Sequence, residues 1–337
     1  MMLISFGTRP EYIKIKPLLA TFGGHIPYAL LFTGQHTSLL EEVINTTDVR
    51  QLHIQDGESR LDSIVSSIMN NSQVFRDIDS VMVQGDTTSA FAVALAAFHR
   101  KIKIIHLEAG LRTYNLAHPY PEEFNRQAIA RMAEIHLCPT DMAAANLRQE
   151  NIASRVYVVG NTVLDNLKGT EFTYGNTILA TLHRRENHEL MDQWFHQLET
   201  LAVKHPEYEF IIPLHPNPNV QQYRHLLKKV KVTDPVDHDE FIRMIARCRF
   251  IITDSGGIQE EASFLGKKCI VCRHITERVE GMGSFSFLCP TPGELPASFH
   301  WLNTDNNHVP SETEVCPYGD GNSSEKIRSI LLEELDV

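Results

Sequence analysis

The stretch from Phe250 to Gly266 has the residue types and spacing to bind a phosphate. Its apolar residues 250–252 predict a buried strand, and the apolar positions 258, 262 and 265 predict a helix that buries one side. Ser255, Gly256 and Gly257 stand between the two. The first helical turn has unpartnered backbone N–H groups and a partial positive charge, and glycine lets an anion approach them. A serine N-cap with glycines that only shape the turn is the alternative. This stretch by itself leaves both interpretations open.

Other polar residues follow predicted strands in the same way. Ligands of parallel sheets with helices on both faces bind at the carboxyl ends of the strands, so these residues are candidates for a site. They are Gly7, Thr8, Arg9, Gln35, His36, Asp86, Glu108, His183, His215 and Ser255. The first strand is not followed by G-x-G-x-x-G, and G-x-x-x-x-G-K-[ST] does not occur. Neither a dinucleotide cofactor nor a P-loop ATPase is therefore expected.

These residues must be positioned by two series of alternating strands and helices. Apolar runs such as "SVMVQG" and "IKIIHLEAG" precede helical patterns in the first half, and "TILATLH", "EFIIPLH" and "FIITD" do so in the second. This alternation predicts an α/β protein with two Rossmann-like doubly wound domains. The polar interval "KGTEFTYGN" predicts the boundary near residues 168 to 176. We expect one domain over 1–168 and the other over 176–317, with the helix in 318–337 packed back on the first.

Composition excludes several classes of function. The chain has 337 residues, a net charge of −11 and no Lys/Arg-rich run, which argues against a nucleic-acid partner. No apolar run approaches the ~20 residues of a membrane span, and the start lacks the pattern of an export signal. We therefore expect a cytoplasmic protein with reduced thiols. Cys269 and Cys272 lie in a predicted strand, where residues three apart point to opposite faces, so no metal site is expected there.

Ten motifs occur in an order that resembles a known family. They are "FGTRPEYIKIKPL", "TGQH", "QGDTTSA", "HLEAGLRT", "PYPEEFNR", "GNTVLDNL", "LHRREN", "PLHPNPNV", "TDSGGIQEEA" and "CPYGDG". The sequence resembles the UDP-N-acetylglucosamine 2-epimerases, and most closely their non-hydrolysing branch. The resemblance implies the GT-B arrangement, in which two Rossmann-like domains face a cleft. It also implies UDP-N-acetylglucosamine and UDP as partners, no cofactor, and a homodimer.

The resemblance implies a route for the reaction as well. The family inverts carbon 2 of the sugar. Simple removal and return of its proton would be too slow, because carbon 2 is not next to a carbonyl, and no nicotinamide fingerprint supports an oxidation. The remaining route removes UDP from carbon 1 together with the proton of carbon 2. It gives a 2-acetamidoglucal, to which UDP then adds back after protonation on the other face. Such a route needs acid/base groups near carbon 2 and positive charge near the departing diphosphate.

Roles for individual residues follow from the same resemblance. Asp86, Glu108 and Glu122 align with the family's catalytic carboxylates. Lys14 would position the diphosphate or orient a carboxylate, and His215 would help to neutralise the leaving group. The residues that would bind the UDP-sugar are Arg9, Phe241, Ser255, Gly256, Gly257, Glu261, Arg273 and Arg278. Gln35, His36 and Arg184 match positions that help to bind a second, activating UDP-sugar in bacterial relatives.

Structural alternatives stay open for several of these residues. Asp86 could instead cap the helix that follows it, and Glu122 could simply occupy the first turn of its own helix. The D-x-D at Asp237–Asp239 is interpreted as helix capping and not as a metal site.

Departures from the family pattern leave rival functions open too. Glu58 stands where relatives commonly have a glutamine that helps to bind the activator, and "TERVEGMGS" replaces the usual "TERPEA". The alternatives are a 2-epimerase of another N-acetylated UDP-sugar, a hydrolysing 2-epimerase and a glycosyltransferase of the same fold.

Overall fold

The computed structural model describes residues 1–34, 49–52, 54, 58–152, 155–304, 306–311 and 313–335. The chain divides into two compact units. The first consists of Met1–Asn166 with Gly319–Val337, and the second of Leu167–Tyr318. Each unit is built around a parallel sheet.

The sheet of the first unit has seven described strands, in the order β3-β2-β1-β4-β5-β6-β7. They are β1 (Met2–Phe6), β2 (Tyr28–Phe32), β3 (Val49–Gln51), β4 (Ser80–Gln84), β5 (Lys103–Leu107), β6 (Ile135–Cys138) and β7 (Arg155–Val158). The helices are α1 (Arg9–Phe22), α2 (Arg60–Met69), α3 (Thr88–His99), α4 (Glu122–Met132), α5 (Asp141–Gln149) and, from the end of the chain, α11 (Ser323–Glu334). The chain passes from β1 to one edge and returns beside β1 with β4, so the direction of winding changes between these two strands.

Both faces of this sheet are covered, which explains its continuous apolar strands. Side chains alternate between the faces: Leu3 and Val81 pack on one side with α2 and α3, whereas Ile4 packs on the other with α1. The final helix α11 belongs to that second layer, because its Ile327 and Leu331 are buried in the same cluster.

The second unit repeats this plan with the order β10-β9-β8-β11-β12-β13. Its strands are β8 (Thr177–Thr181), β9 (Glu209–Pro213), β10 (Lys231–Thr233), β11 (Phe250–Thr253), β12 (Cys269–Val271) and β13 (Ser286–Leu288). Its helices are α6 (Met191–Lys204), α7 (Pro218–Gln221), α8 (His238–Arg247), α9 (Gly256–Phe264) and α10 (Leu295–Asn303). Here the direction of winding changes between β8 and β11, and the core is centred on Trp194, Phe250 and Phe299.

Short 3-10 helices complete the described backbone. They cover Ser72–Phe75, Thr162–Leu167, Arg185–Leu190, Arg224–Leu226, Val279–Gly281 and Pro292–Glu294. Among the residues described, no helix is long and apolar enough to cross a membrane. The predicted fold class, α/β with two doubly wound parallel sheets, is confirmed.

Candidate active site

In the first unit, Glu108 lies at the carboxyl end of β5 in a strained backbone conformation. Its φ of +63° falls in the left-handed region, which costs about 1–3 kcal/mol for a residue other than glycine and persists where the surroundings enforce it. The Lys14 ammonium lies 2.5 Å from Glu108 Oε2, and the Gln84 amide donates to the same oxygen. Two donors from different elements therefore aim this carboxylate and balance its charge.

Asp86 follows β4, the neighbouring strand, and forms an ion pair with a buried arginine. Arg126 Nη2 of α4 lies 2.6 Å from Asp86 Oδ2, and the Asn125 side chain donates to the Asp86 carbonyl at 2.9 Å. The capping alternative for Asp86 is wrong, because Thr87 is the N-cap of α3 and its hydroxyl accepts from Ala90 N. The Asp86 carboxylate is thus not used by the helix that follows it.

Glu122 is the first residue of α4 and half-buried, so its charge is favourably placed in the field of the helix. The next residue, Glu123, is fully buried and accepts from the backbone N–H groups of Thr113 and Tyr114 at 3.0 Å each. Glu123 therefore fixes the loop that follows Glu108 to the start of α4.

Arg126 and Glu123 were not identified from the sequence as residues of the site. Their spacing is the one feature of the local sequence that could have indicated them, because residues three apart share a helix face. In the structure Arg126 Nη1 lies 3.5 Å from Glu123 Oε2.

The start of α1 is occupied by a carboxylate of the protein itself. Glu11 Oε2 accepts from Gly7 N at 3.0 Å and from Thr8 N at 2.7 Å, while Thr8 caps the helix in return. The other carboxylate oxygen of Glu11, Oε1, accepts from Thr87 Oγ1 at 2.7 Å. Glu11 therefore joins the β1–α1 turn to the turn that carries Asp86. Arg9, on the same turn, is exposed.

In the second unit, the start of α9 is left open. Ser255 is its N-cap residue, but within the described chain its side chain makes no capping hydrogen bond. A Cβ added to Gly257 would meet no atom within 4 Å, whereas one added to Gly256 would lie 3.1 Å from the Arg278 guanidinium and from Glu277. Gly256 therefore packs closely against these two side chains, and Gly257 borders open space at the helix N-terminus.

Arg278 and Arg273 lie behind this turn in a network of buried ion pairs. Arg278 Nε is 2.9 Å from Glu260, and its Nη1 also contacts Glu277. Arg273 is 1% exposed and pairs with Glu186 at 2.6 Å and Glu277 at 3.0 Å. The structure thus places Arg273 in the interior, where its charge is balanced by two carboxylates.

Glu261, on α9, contacts the first residue of α8. Its Oε1 lies 2.7 Å from His238 Nε2, which orients the carboxylate. Phe241, one turn further along α8, is half-buried. The capping interpretation of the D-x-D is confirmed, since Asp237 is the N-cap of α8 and accepts from Glu240 N at 2.8 Å.

His215 follows β9 and stacks on His183, which follows β8. Their ring centroids are 5.1 Å apart and the planes differ by 12°. Burial lowers the pKa of both rings from 6.5.

Arg184 is half-buried, and its backbone N–H donates to Asp254 Oδ2 at 2.9 Å. Gln35 and His36 lie outside the described residues.

The structure brings most of the candidates together at two sheet edges. In the first unit Asp86 and Glu108 lie on the turns that follow β4 and β5, Lys14 reaches Glu108 from α1, and Glu122 begins α4. In the second unit Ser255, Gly256, Gly257 and His215 lie at the corresponding edge, with Glu261, Phe241 and Arg278 on the elements around it. Among the residues that the structure describes, no group of three or more His, Cys, Asp or Glu side chains is suited to a metal.

Known proteins resemble this chain over nearly its whole length. The family model described as UDP-N-acetylglucosamine 2-epimerase matches residues 23–332. The UDP-N-acetylglucosamine 2-epimerase of Campylobacter jejuni is 36% identical, over 98% of this chain and 97% of that protein.

Two solved structures show the same likeness. The Neisseria meningitidis UDP-GlcNAc 2-epimerase bound to UDP-GlcNAc superposes with a TM-score of 0.89 at 34% identity, covering 98% of this chain and 99% of that one. The Methanocaldococcus jannaschii enzyme in complex with UDP-GlcNAc and UDP has a TM-score of 0.84 at 28% identity, covering 99% and 100%. From its motifs, its two sheets and this agreement along the whole chain, the protein belongs to the UDP-N-acetylglucosamine 2-epimerase family.

Proposed function

We propose that this protein interconverts UDP-N-acetylglucosamine and UDP-N-acetylmannosamine by inverting carbon 2 without loss of the nucleotide. The observation that carries the proposal is the oriented set of carboxylates in the first unit, in a chain of this family. Glu108 is held by Lys14 and Gln84, and Asp86 by Arg126. Solved relatives are described as bound to UDP-GlcNAc and to UDP, which supports the same ligands here.

In the proposed reaction, a carboxylate takes the proton of carbon 2 while the bond between carbon 1 and the diphosphate oxygen breaks. The electron pair of that bond leaves with UDP, and a double bond forms between carbons 1 and 2. In the second half, a protonated group delivers a proton to the opposite face of carbon 2, and the UDP oxygen bonds to carbon 1 again. Asp86, Glu108 and Glu122 are the proposed acid/base groups, and Lys14 orients Glu108.

The UDP group is proposed to bind the second unit. The open N-terminus of α9 offers backbone N–H groups and a positive dipole end to the diphosphate. His215 would add a donor to the leaving group, and Arg278 would act from behind the turn. Arg9, in the first unit, keeps its predicted role in binding the UDP-sugar. Glu261 would accept from the ribose hydroxyls, with His238 holding it in place. Phe241 is proposed to lie near the uracil.

Three other expectations stay predictions. The resemblance implies a homodimer and a second UDP-sugar site that includes Arg184, and the composition predicts the cytoplasmic location.

The decisive experiment incubates the protein with UDP-N-acetylglucosamine alone in heavy water and follows the products by NMR. We expect UDP-N-acetylmannosamine, with deuterium at carbon 2 of both epimers and small amounts of UDP and 2-acetamidoglucal on long incubation. Asp86→Asn, Glu108→Gln and Glu122→Gln should each lower the rate by ~100-fold or more. Asp141→Asn, at the exposed start of α5, is the matched control and should not.

Each rival predicts another outcome. Product that retains its original hydrogen at carbon 2 would contradict the elimination route. Free N-acetylmannosamine as the main product would indicate the hydrolysing branch, and turnover only with an added sugar acceptor would indicate a glycosyltransferase. Turnover of a different N-acetylated UDP-sugar, with none of UDP-N-acetylglucosamine, would move the proposal to another substrate.

A further inference from the structure

A buried aspartate with no assigned role lies at the point where the second sheet changes its direction of winding. Asp254 follows β11, is fully buried, and directly precedes Ser255. A buried carboxylate is costly unless its oxygens are satisfied, and one beside a proposed phosphate seat also repels the ligand. Its surroundings must therefore use the charge.

One oxygen of Asp254 fixes the turn that follows β8. Oδ2 accepts from the backbone N–H groups of His183 and Arg184 at 2.9 Å each, and from Asn187 Nδ2 at 3.0 Å. Three donors from one turn bind a single oxygen. The carboxyl ends of β8 and β11 are joined in this way at the position where doubly wound sheets bind their ligands.

The other oxygen faces a histidine. Asp254 Oδ1 is buried and, in the part of the chain that the structure describes, has no hydrogen-bond partner. It lies 3.5 Å from His183 Nδ1. His215 stacks almost in parallel on one face of the same His183 ring. A carboxylate, a half-buried ring and an exposed ring thus follow one another toward the open edge of the sheet.

We propose that Asp254 is a positioning residue that holds the His183–His215 ring pair in place for the reaction. This inference rests on the proposed function, in which His215 assists the departing diphosphate. Asp254 and His183 touch neither substrate nor reacting atoms in this scheme and act through His215. The stacked rings disfavour two positive charges side by side, and the Asp254 charge behind them compensates for one.

The charges that face the two rings make the proposal testable without substrate. His183 faces Asp254, Arg184, His188 and His215, and His215 faces His183, Asp254 and His188. Burial is the largest influence and lowers the pKa of both rings. Asp254 opposes it for both, while His183 lowers the pKa of His215.

The experiment is an NMR titration of the histidine ring signals in the full protein, with His215 assigned from the spectrum of His215→Gln. In Asp254→Asn, which keeps the shape and removes the charge, the titrations of His183 and His215 should move to lower pH. In His183→Phe, which keeps a flat ring, the titration of His215 should move to higher pH. The opposite signs distinguish electrostatic coupling from general loosening of the fold.

A matched control exists in the same unit. Glu199 also accepts from three successive backbone N–H groups, those of residues 228–230, but contacts no histidine ring in the described part of the chain. Glu199→Gln should leave the His215 titration and the rate unchanged. Asp254→Asn should lower kcat ~10-fold or more while KM changes less, as for loss of a positioned donor to the leaving group.

Two results would overturn the inference. The first is an unmoved His215 titration in both variants, which would leave Asp254 as a backbone clamp only. The second is an unchanged kcat in Asp254→Asn in an enzyme that epimerises. If the unmodified protein does not epimerise, the proposed function fails, and the titrations still decide whether Asp254 and the ring pair are coupled. Should Asp254→Asn not fold, His183→Phe decides the coupling by the sign of its shift.

Discussion

At the scale of single residues, two adjacent glycines differ in what they allow. Gly257 borders open space and Gly256 is packed against Arg278 and Glu277. Gly257→Ala should fold normally, because replacing glycine at a compatible position restricts the unfolded chain and adds about 0.4–1 kcal/mol. Its methyl group should nevertheless intrude on an anion at the start of α9. We expect weaker UDP binding by calorimetry with no loss in Tm.

Gly293→Ala is the matched control for this prediction. Gly293 also has no atom within 4 Å of an added Cβ, and it lies in a short 3-10 helix away from α9. It should leave UDP binding unchanged. Equal affinity in Gly257→Ala and Gly293→Ala would place the diphosphate elsewhere.

Glu261 leads to a second prediction at this scale. The carboxylate is already oriented by His238 at 2.7 Å, so a ribose diol would meet a fixed acceptor. Glu261→Ala should weaken UDP binding by ~1–3 kcal/mol, the typical loss for a charged hydrogen-bond partner. Glu240→Ala removes an exposed carboxylate on α8 that pairs with Arg243 instead, and should not alter binding. Similar losses in both variants would mean that net charge, and not the ribose contact, sets the affinity.

At the scale of elements, two β–α turns, each next to the change of winding in its own sheet, have opposite designs. The start of α1 is filled by Glu11, which accepts from Gly7, Thr8 and Thr87, whereas the start of α9 has no such side chain among the described residues. In the proposed function, this contrast divides the work between two sheets of one plan. The first turn is a fixed support for Asp86, and the second is available to an anion.

Removal of Glu11 tests that support. Glu11→Ala leaves buried N–H donors without acceptors and should lower the free energy of unfolding by ~2–4 kcal/mol, measured in urea. Glu11→Gln keeps one acceptor oxygen, and we expect a smaller loss. The lost link to Thr87 should also reduce activity under conditions where Glu11→Ala remains folded. A stable, fully active Glu11→Ala would show that Asp86 is positioned without this turn.

Strand β5 carries a prediction on acid stability. His106 donates from Nε2 to the Gly85 carbonyl at 2.8 Å, and burial lowers its pKa to about 4. The folded state therefore binds fewer protons than the unfolded state below pH 6.5. The contribution of neutral His106 to stability is present above pH 6.5 and is lost as the pH falls from 6.5 toward 4.

His106→Gln keeps a donor for Gly85 and removes the titration. We expect the fall in stability between pH 6.5 and 4 to become shallower, by at most about 1.4 kcal/mol per pH unit for one proton. His99→Gln, at the exposed end of α3, should leave the slope unchanged. Identical slopes in His106→Gln and the unmodified protein would indicate that other groups dominate acid unfolding.

At the scale of the whole molecule, the sequence predicted the sheets better than the contacts between distant residues. Buried parallel strands are apolar on both faces, so runs such as Ser80–Gln84 are visible without any knowledge of their neighbours. The pair of Asp86 with Arg126 depends on strand order and loop path, which a local pattern does not contain. Arg273 shows the reverse problem. An arginine after a strand resembles a ligand contact, and only the fold reveals its buried partners Glu186 and Glu277.

The separate cores of the two units allow UDP binding to be assigned to one of them. The chain contains two tryptophans, Trp194 and Trp301, and both belong to the second unit. Trp194 is fully buried in its core, so its emission reports the unfolding of that unit, whereas far-UV circular dichroism reports both. A ligand that binds one unit stabilises it by about 2.7 kcal/mol at 100 times its Kd. UDP should therefore raise the free energy of unfolding measured by fluorescence by that amount, and the fluorescence transition should move to higher urea. The opposite result would be an unchanged fluorescence transition together with a shifted dichroism transition. It would mean that the nucleotide binds the first unit.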